Sequence, residues 1–168
     1  TEAQPWQVYT AATGNTKAMY LDTTNGATTD NSWGNTSPTE TNFTVGDDSG
    51  TNNTGNNHIA YLFASLPGIS KVGSYTGNGS TQNIDCGFSS GARFVLIKRS
   101  SHAQDWYLFD STRGIVAGSD PYLKLNSTDS EATSADEIDP LSSGFTIHQT
   151  GSAGINFSGH TYIFYAIA

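Results

Sequence analysis

Between Gly91 and Ser100 runs Ala92-Arg93-Phe94-Val95-Leu96-Ile97-Lys98-Arg99, the one place where four large apolar residues follow one another between basic ends. A continuous apolar run this short is consistent with a strand covered on both faces, since alternation is lost only when neither face meets water. Each of Phe94, Val95, Leu96 and Ile97 contributes roughly 1.5–3 kcal/mol if fully buried. A buried helix would need a longer run, and Gly91 and Ser100-Ser101 close this one at both ends. We read it as the central strand of an all-β fold, an antiparallel β-sandwich of jelly-roll or concanavalin-like type.

The rest of the chain agrees with strands rather than helices. Charged residues make up only 13% of the 168, while Thr, Ser, Asn and 18 Gly dominate. Such residues disfavour helix interiors and favour strands joined by tight turns. An aromatic content of 11% is too high for a disordered chain. The length suits one domain or two small ones. A net charge of −8 argues against nucleic acid and anionic membranes, which select basic surfaces. The single cysteine, Cys86, allows no intrachain disulfide and reads as a small core residue beside the central strand. No apolar run approaches the roughly 20 residues of a membrane span, so no membrane insertion is expected. Thr1 to Thr10 is polar with a lone Trp and shows no signal peptide; with no initiator Met, residue 1 is expected to lie inside a longer protein.

An internal repeat organises the chain. Trp6-Gln7-Val8-Tyr9 answers Trp106-Tyr107-Leu108-Phe109, and Phe43-Thr44-Val45 answers Phe145-Thr146-Ile147. Gly55 and His58-Ile59-Ala60-Tyr61-Leu62-Phe63-Ala64 answer Gly159 and Tyr162-Ile163-Phe164-Tyr165-Ala166-Ile167-Ala168. The three anchors keep their order at a spacing of roughly 100 residues that drifts slowly, as a few loop insertions would produce. Two related β units follow: residues 1–66 as a first unit lacking its leading strand, and residues 67–168 as a complete second one, the two sharing one core. The missing strand is expected either upstream or from a partner.

Alternation and turn chemistry predict strands at Gln7–Ala11, Ala18–Asp22, Asn42–Val45, His58–Ala64, Lys71–Thr76, Gln82–Asp85 and Phe94–Lys98. They predict further strands at Trp106–Asp110, Tyr122–Leu125, Phe145–His148 and Thr161–Ile167. Gly77-Asn78-Gly79 signals a hairpin turn. Asp129 to Ile138 reads as a helical turn, with Ser127 or Thr128 as N-cap and Pro140 as stop. Asp47 to Asn57 reads as a long surface loop.

Residues that could carry chemistry are few. Gly87-Phe88-Ser89-Ser90-Gly91 matches the G-x-S-x-G nucleophile pattern, which needs a strand before it and a helix after it. Here a strand follows, so a plain turn is the better reading. Asp129, Glu131, Asp136 and Asp139, with Glu137 among them, offer oxygens for calcium but lack the alternating spacing around a central glycine; solvated surface charge is expected, and no other cofactor. No carboxylate pair is singled out for glycoside hydrolysis. His58, His102, His148 and His160 show no metal-ligand spacing. Trp6 with Trp106, and Tyr61 with Tyr165, are expected to share packing roles. Trp33, within Asp30-Asn31-Ser32-Trp33-Gly34-Asn35, has no counterpart; a tryptophan in a polar loop can stack on a sugar ring, with Asn31 supplying hydrogen bonds. Tyr75 and Asn78 complete the candidate ligand contacts.

Gly73-Ser74-Tyr75-Thr76-Gly77-Asn78-Gly79, then Gly87-Phe88 and Arg93 to Arg99, resemble an uncharacterised domain family of tail-fibre and other virion structural proteins of tailed bacteriophages. Asp105-Trp106, Asp110-Ser111-Thr112-Arg113, Leu125-Asn126 and Gly159-His160-Thr161-Tyr162-Ile163 are similar to it as well. The likeness covers most of residues 55–168, with a weaker echo over 5–64. Because that family often stands beside concanavalin-like lectin modules, the resemblance implies a non-enzymatic virion part that binds host-surface glycans or scaffolds a fibre. It implies a homo-oligomer, a trimer for a fibre, contacting other virion proteins, made in the bacterial cytoplasm and placed on the virion. A purely structural role in a head fibre, decoration or tail sheath is the alternative, and a glycan depolymerase the third.

Overall fold

The computed structural model of the chain describes residues 4–148 and 153–168. Its strands are β1 (Gln7–Val8), β2 (Lys17–Tyr20), β3 (Thr28–Thr29), β4 (Ser70–Thr76), β5 (Gln82–Asp85) and β6 (Phe94–Arg99). β7 (Trp106–Asp110), β8 (Tyr122–Lys124), β9 (Ile138–Leu141), β10 (Gly144–Ile147) and β11 (Thr161–Ile167) follow, and one short helix, α1 (Ser49–Asn52), lies between β3 and β4. All pairings between these strands are antiparallel. They form a five-stranded sheet in the order β4-β11-β6-β7-β8 and two three-stranded sheets, β5-β10-β9 and β1-β2-β3.

β6 is the middle strand of the largest sheet, and both of its faces are covered. On one face Val95 and Ile97 are fully buried and join Phe109, Tyr162 and Phe164 of their own sheet, with Ile84, Ile138, Phe145 and Ile147 opposite from the β5-β10-β9 sheet. That pairing is the β-sandwich. On the other face Leu96 packs with Met19, Trp106 and Ile163, together with Val8, Leu21 and Ala27 of the β1-β2-β3 layer. The loss of alternation in Phe94-Val95-Leu96-Ile97 is thus explained by the third layer.

The turn after β1 and the turn after β7 carry the same main-chain bonds. Leu21 N donates to Trp6 O at 2.9 Å and Leu125 N to Trp106 O at 3.0 Å; Gly14 N donates to Thr10 O and Gly114 N to Asp110 O. The side-chain outcome differs. Trp106 is 3% exposed, with its indole N–H on Tyr20 O at 2.9 Å, whereas Trp6 is 51% exposed against Tyr61. The expected common packing role of the two tryptophans is therefore not kept.

Three expected elements are replaced. Asn42–Val45 and His58–Ala64 form no strands, although their apolar patterns are real, because no strand lies alongside to pair with them. Asp129 to Ile138 is not helical. Ala132 bridges Tyr122, and the Asp120 carboxylate accepts from Glu137 N at 3.1 Å and Ile138 N at 3.0 Å, holding the segment extended into β9. Pro140 sits inside β9, which is an edge strand where a missing N–H costs no ladder bond. Cys86 is buried in the main core, and burial pushes its thiol up to about 11.

Candidate functional site: contact surfaces

The segment with the most specific pattern in the chain turns out to be a packing device. Gly73 lies so close to the Phe164 ring that a Cβ would stand 2.5 Å from it, and at Gly77 a Cβ would stand 2.3 Å from Phe157 O. The bare backbone of Gly73 is what lets Phe164 lie across it. Tyr75 stacks on Tyr162 with centroids 4.9 Å apart and planes within 8° of parallel, and its hydroxyl donates to Ile155 O at 2.7 Å. Burial drives its hydroxyl well above the ordinary tyrosine value. Asn78 N donates to Asn156 Oδ1 at 3.1 Å, which also accepts from Gln82 Nε2; Asn156 Nδ2 donates to Ser80 O and His148 O. Asn156 is buried and saturated, and it holds the hairpin turn to β10. Nothing in its sequence surroundings, a Gly-Ile-Asn-Phe stretch, marks it for this part.

The other candidate pair also spends its groups on structure. Asn31 Nδ2 donates to the Asp47 carboxylate. Trp33 is half-buried, its indole N–H reaches Lys17 O at 3.0 Å, and its ring meets Tyr9 edge-on at 5.7 Å. Among the described residues no hydrogen bond or ring contact joins Asn31 and Trp33 to Tyr75 and Asn78. The four do not converge on one site.

A shallow cleft of about 230 Å³ lies where β4 ends and β11 begins, lined by Ser74, Thr76, Ser100, Thr161, Tyr75, Tyr162 and Ala12. Ser74, Thr76, Ser100 and Thr161 supply four hydroxyls, of which Ser100 Oγ and Thr161 Oγ1 are 3.0 Å apart. Such a surface can exchange hydrogen bonds with the hydroxyls of a sugar. It holds no charged group.

Two cations each bridge two acids. Arg113 bridges Asp110 and Glu131, and Lys124 bridges Asp105 and Asp129. Two of the four calcium candidates, Asp129 and Glu131, are thus taken by cations on separate strand ends. Asp136 and Asp139 instead meet His148, which the spacing had not flagged, with one ligand atom from each within 4.8 Å of the others. His148 Nε2 is 2.6 Å from Asp139 Oδ2 and 3.7 Å from Asp136 Oδ1. The hydrogen bond to Asp139, and then both carboxylate charges, raise the imidazole above its ordinary value. The group could take a divalent cation; without one, His148 Nε2 hydrogen-bonds Asp139 Oδ2, and Asp139 Oδ1 has no hydrogen-bond partner among the described residues. Ser89 is exposed in a turn in which Gly87 N caps on Asp85 and Gly91 N on Ser142 O; among the described residues no hydrogen bond links it to a base.

Lys98 is fully buried on the second face of β6. Its ammonium donates to Thr24 O at 2.9 Å and Gln104 O at 2.6 Å and lies 5.9 Å from the Trp106 ring centroid. Burial lowers its pKa to about 8. It ties the outer layer to the central strand.

The largest departure from an ordinary surface is residues 59–69. Ile59, Tyr61, Leu62, Phe63, Leu66 and Ile69 are all exposed, Leu62 by 73% and Tyr61 by 68%. Tyr61 leans on Trp6 at 5.8 Å and Phe63 on Tyr165 at 4.9 Å, so the strip is continuous with Trp6. Among the described residues no backbone–backbone hydrogen bond reaches residues 57–65. Monomer surfaces seldom carry apolar patches beyond several hundred Å² unless something covers them.

Taken together, the chain is an antiparallel all-β domain whose central sheet is covered on both faces and whose distinctive surfaces are a hydroxyl-lined cleft and an apolar strip. It belongs to the family described as Domain of unknown function (DUF7483), whose model matches residues 1–168. No curated protein and no solved structure matches the chain.

Proposed function

We propose that the chain is a non-enzymatic virion structural domain of a tailed bacteriophage, working by contact, with tail-fibre adhesion to host-surface glycans as its role. The observation that carries this reading is the cleft between β4, β11 and β6. Its four hydroxyls suit those of a neutral saccharide, and it is small enough that each site binds weakly. Weak sites become useful through a homo-oligomer, a trimer in a fibre, because linked sites raise the effective concentration. The resemblance of its motifs to virion structural proteins supports that location. The test is binding of the purified chain to immobilised polysaccharides from candidate host surfaces, compared with Ser74→Tyr, which fills the cleft from an exposed position. Lost retention with an unchanged melting temperature supports adhesion; equal retention of both proteins overturns the cleft as the site.

The apolar strip favours a second reading, a purely structural virion component in a head fibre, decoration or tail shaft, where subunit contact is the whole task. Immuno-electron microscopy decides between the two: label at the fibre tip supports adhesion, and label along capsid or shaft supports the structural role.

The domain is also proposed to consist of two related units. The recurring bonds from Leu21 to Trp6 and from Leu125 to Trp106 support this, as do the equivalent Thr10–Gly14 and Asp110–Gly114 turns. In that alignment β1 and β2 correspond to β7 and β8.

A further inference from the structure

We propose that Asp136, Asp139 and His148 bind one divalent first-row transition ion, with Zn²⁺ as the probe. One ligand atom from each lies within 4.8 Å of the others. His148 Nε2 stands 2.6 Å from Asp139 Oδ2 and 3.7 Å from Asp136 Oδ1. Two donors sharing an ion at about 2.1 Å stand roughly 2.9–3.4 Å apart, for angles between octahedral and tetrahedral. The two separations straddle that interval, and a shift of about 0.3 Å in each brings both inside it. A second observation points to an ion. Asp139 Oδ1 is shut off from solvent and has no hydrogen-bond partner among the described residues. A buried carboxylate oxygen without a donor is costly, and the imidazole bond to Oδ2 does not relieve it. An ion held by both oxygens of Asp139 supplies the missing partner. Among the described residues neither Asp136 nor Asp139 has a Lys or Arg within ion-pair distance, whereas the acids beside Arg113 and Lys124 do.

The backbone under each ligand is fixed before any ion arrives. Asp139 lies within β9, opposite Thr146 of β10. His148 N donates to Glu137 O at 2.9 Å, and His148 O accepts from Asn156 Nδ2 at 3.0 Å. Asp136 lies between two residues tied to Asp120: Ala135 O accepts from Asp120 N at 2.6 Å, and Glu137 N donates to the Asp120 carboxylate at 3.1 Å. Such support keeps ligands in place without help from the ion. The donor set selects the class of ion. Imidazole with carboxylates suits zinc and its first-row neighbours, whereas Ca²⁺ takes six to eight oxygens and Mg²⁺ a regular octahedron of them. Water fills the remaining positions. The three ligands come from the entry to β9, from β9 itself and from the residue after β10, so the ion clasps that entry to the β9–β10 hairpin. The site shares no residue with the hydroxyl-lined cleft, and its role is structural.

The chain, stripped with EDTA and dialysed, is titrated with Zn²⁺, Mn²⁺, Ca²⁺ or Mg²⁺ by calorimetry and followed in thermal melts. A single Zn²⁺ is expected to bind per chain. It raises the melting temperature by roughly 5–10 °C when free Zn²⁺ stands at about a hundred times its measured dissociation constant. Millimolar Ca²⁺ and Mg²⁺ leave the melt within about 1 °C of the stripped chain. Zn²⁺ also slows hydrogen exchange at residues 134–138, the entry it clasps. Asp136→Asn, at an exposed position, keeps the melting temperature of the stripped chain and weakens Zn²⁺ binding by at least about tenfold. Asp139→Asn and His148→Gln weaken it by at least as much. The rings of His102 and His160, 4.5 Å apart, are the competing surface pair, and His102→Gln with His160→Gln is expected to leave Zn²⁺ affinity unchanged. Loss of binding in that double variant overturns the proposal, because the ion then sits on the surface imidazoles. So does a melt that Zn²⁺ does not move, which leaves Asp139 to the imidazole alone. Equal stabilisation by Ca²⁺ overturns it as well, since the site would then be read by its oxygens and not by His148.

Discussion

At the scale of single residues, the ionisable side chains do structural work, and His148 offers the clearest measurable consequence. Its imidazole is raised above 6.5, first by the hydrogen bond to Asp139 and then by the charges of Asp139, Asp136 and Asp120. A raised folded-state pKa means that the folded chain holds this proton more tightly than the unfolded one. The stabilisation is therefore complete below the unfolded value and is lost as pH rises through the folded value. His148→Gln is expected to cost more stability at about pH 5.5 than at about pH 8.5 in urea melts. An equal cost at both pH values would show that the carboxylates do not hold an imidazolium. Asp120 gives a pH-independent contrast at neutral pH. Its buried carboxylate caps Val116 N, Glu137 N and Ile138 N, so Asp120→Ala leaves three donors without their acceptor and is expected to cost about 2–4 kcal/mol by the same melts.

At the scale of elements, legibility followed how local the cause was. β5, β6, β7 and β11 were readable because their own alternation, or its loss to a continuous apolar run in β6, β7 and β11, reports the faces they meet. β9 was not, because Asp120 extends its approach from outside the segment, and the acids and serines before it imitate a helix start. His58–Ala64 carries the pattern of a strand without a neighbour to make it one. Of the candidate contacts, Trp33 was legible as an aromatic in a polar loop, but its indole bond to Lys17 O was not. Asn156, which organises the Gly77–Gly79 turn, carried no signal. The Gly73 to Gly79 string was legible as distinctive while its purpose was hidden, since the need for glycine arises from Phe164 on another strand. Gly73→Ala is accordingly expected to destabilise by roughly 1–3 kcal/mol through displacement of the Phe164 ring. A thermal melt checks this: at roughly 2–4 °C per kcal/mol for a domain of this size, a shift of under about 1 °C would mean that the ring does not depend on the missing Cβ.

At the scale of the whole molecule, the two faces of the five-stranded sheet are held by unequal means, and this sets the order in which the structure opens. The sandwich face buries a continuous cluster running from Ile84 to Ala166. Among the described residues the apolar cluster on the other face has three buried members, Met19, Trp106 and Ile163, helped by a few polar ties: the Trp106 indole on Tyr20 O, the Lys98 ammonium on Thr24 O, and main-chain bonds from Ala27 N to Ser100 O and Gln104 N to Thr24 O. A layer with little apolar area and few bonds to the sheet is the first to exchange its amides with solvent. Lys98→Met keeps the length and apolar stem of the side chain but takes the ammonium from Gln104 O and leaves Thr24 O with Gln104 N alone. Its cost should therefore fall on the outer layer and not on the sandwich. Hydrogen exchange is expected to show faster exchange at residues 17–20 in the variant, with β5, β9 and β10 unchanged. Equal acceleration in both layers would mean that the three sheets open as a single cooperative unit and that Lys98 supports the whole fold through β6 rather than pinning one layer to it.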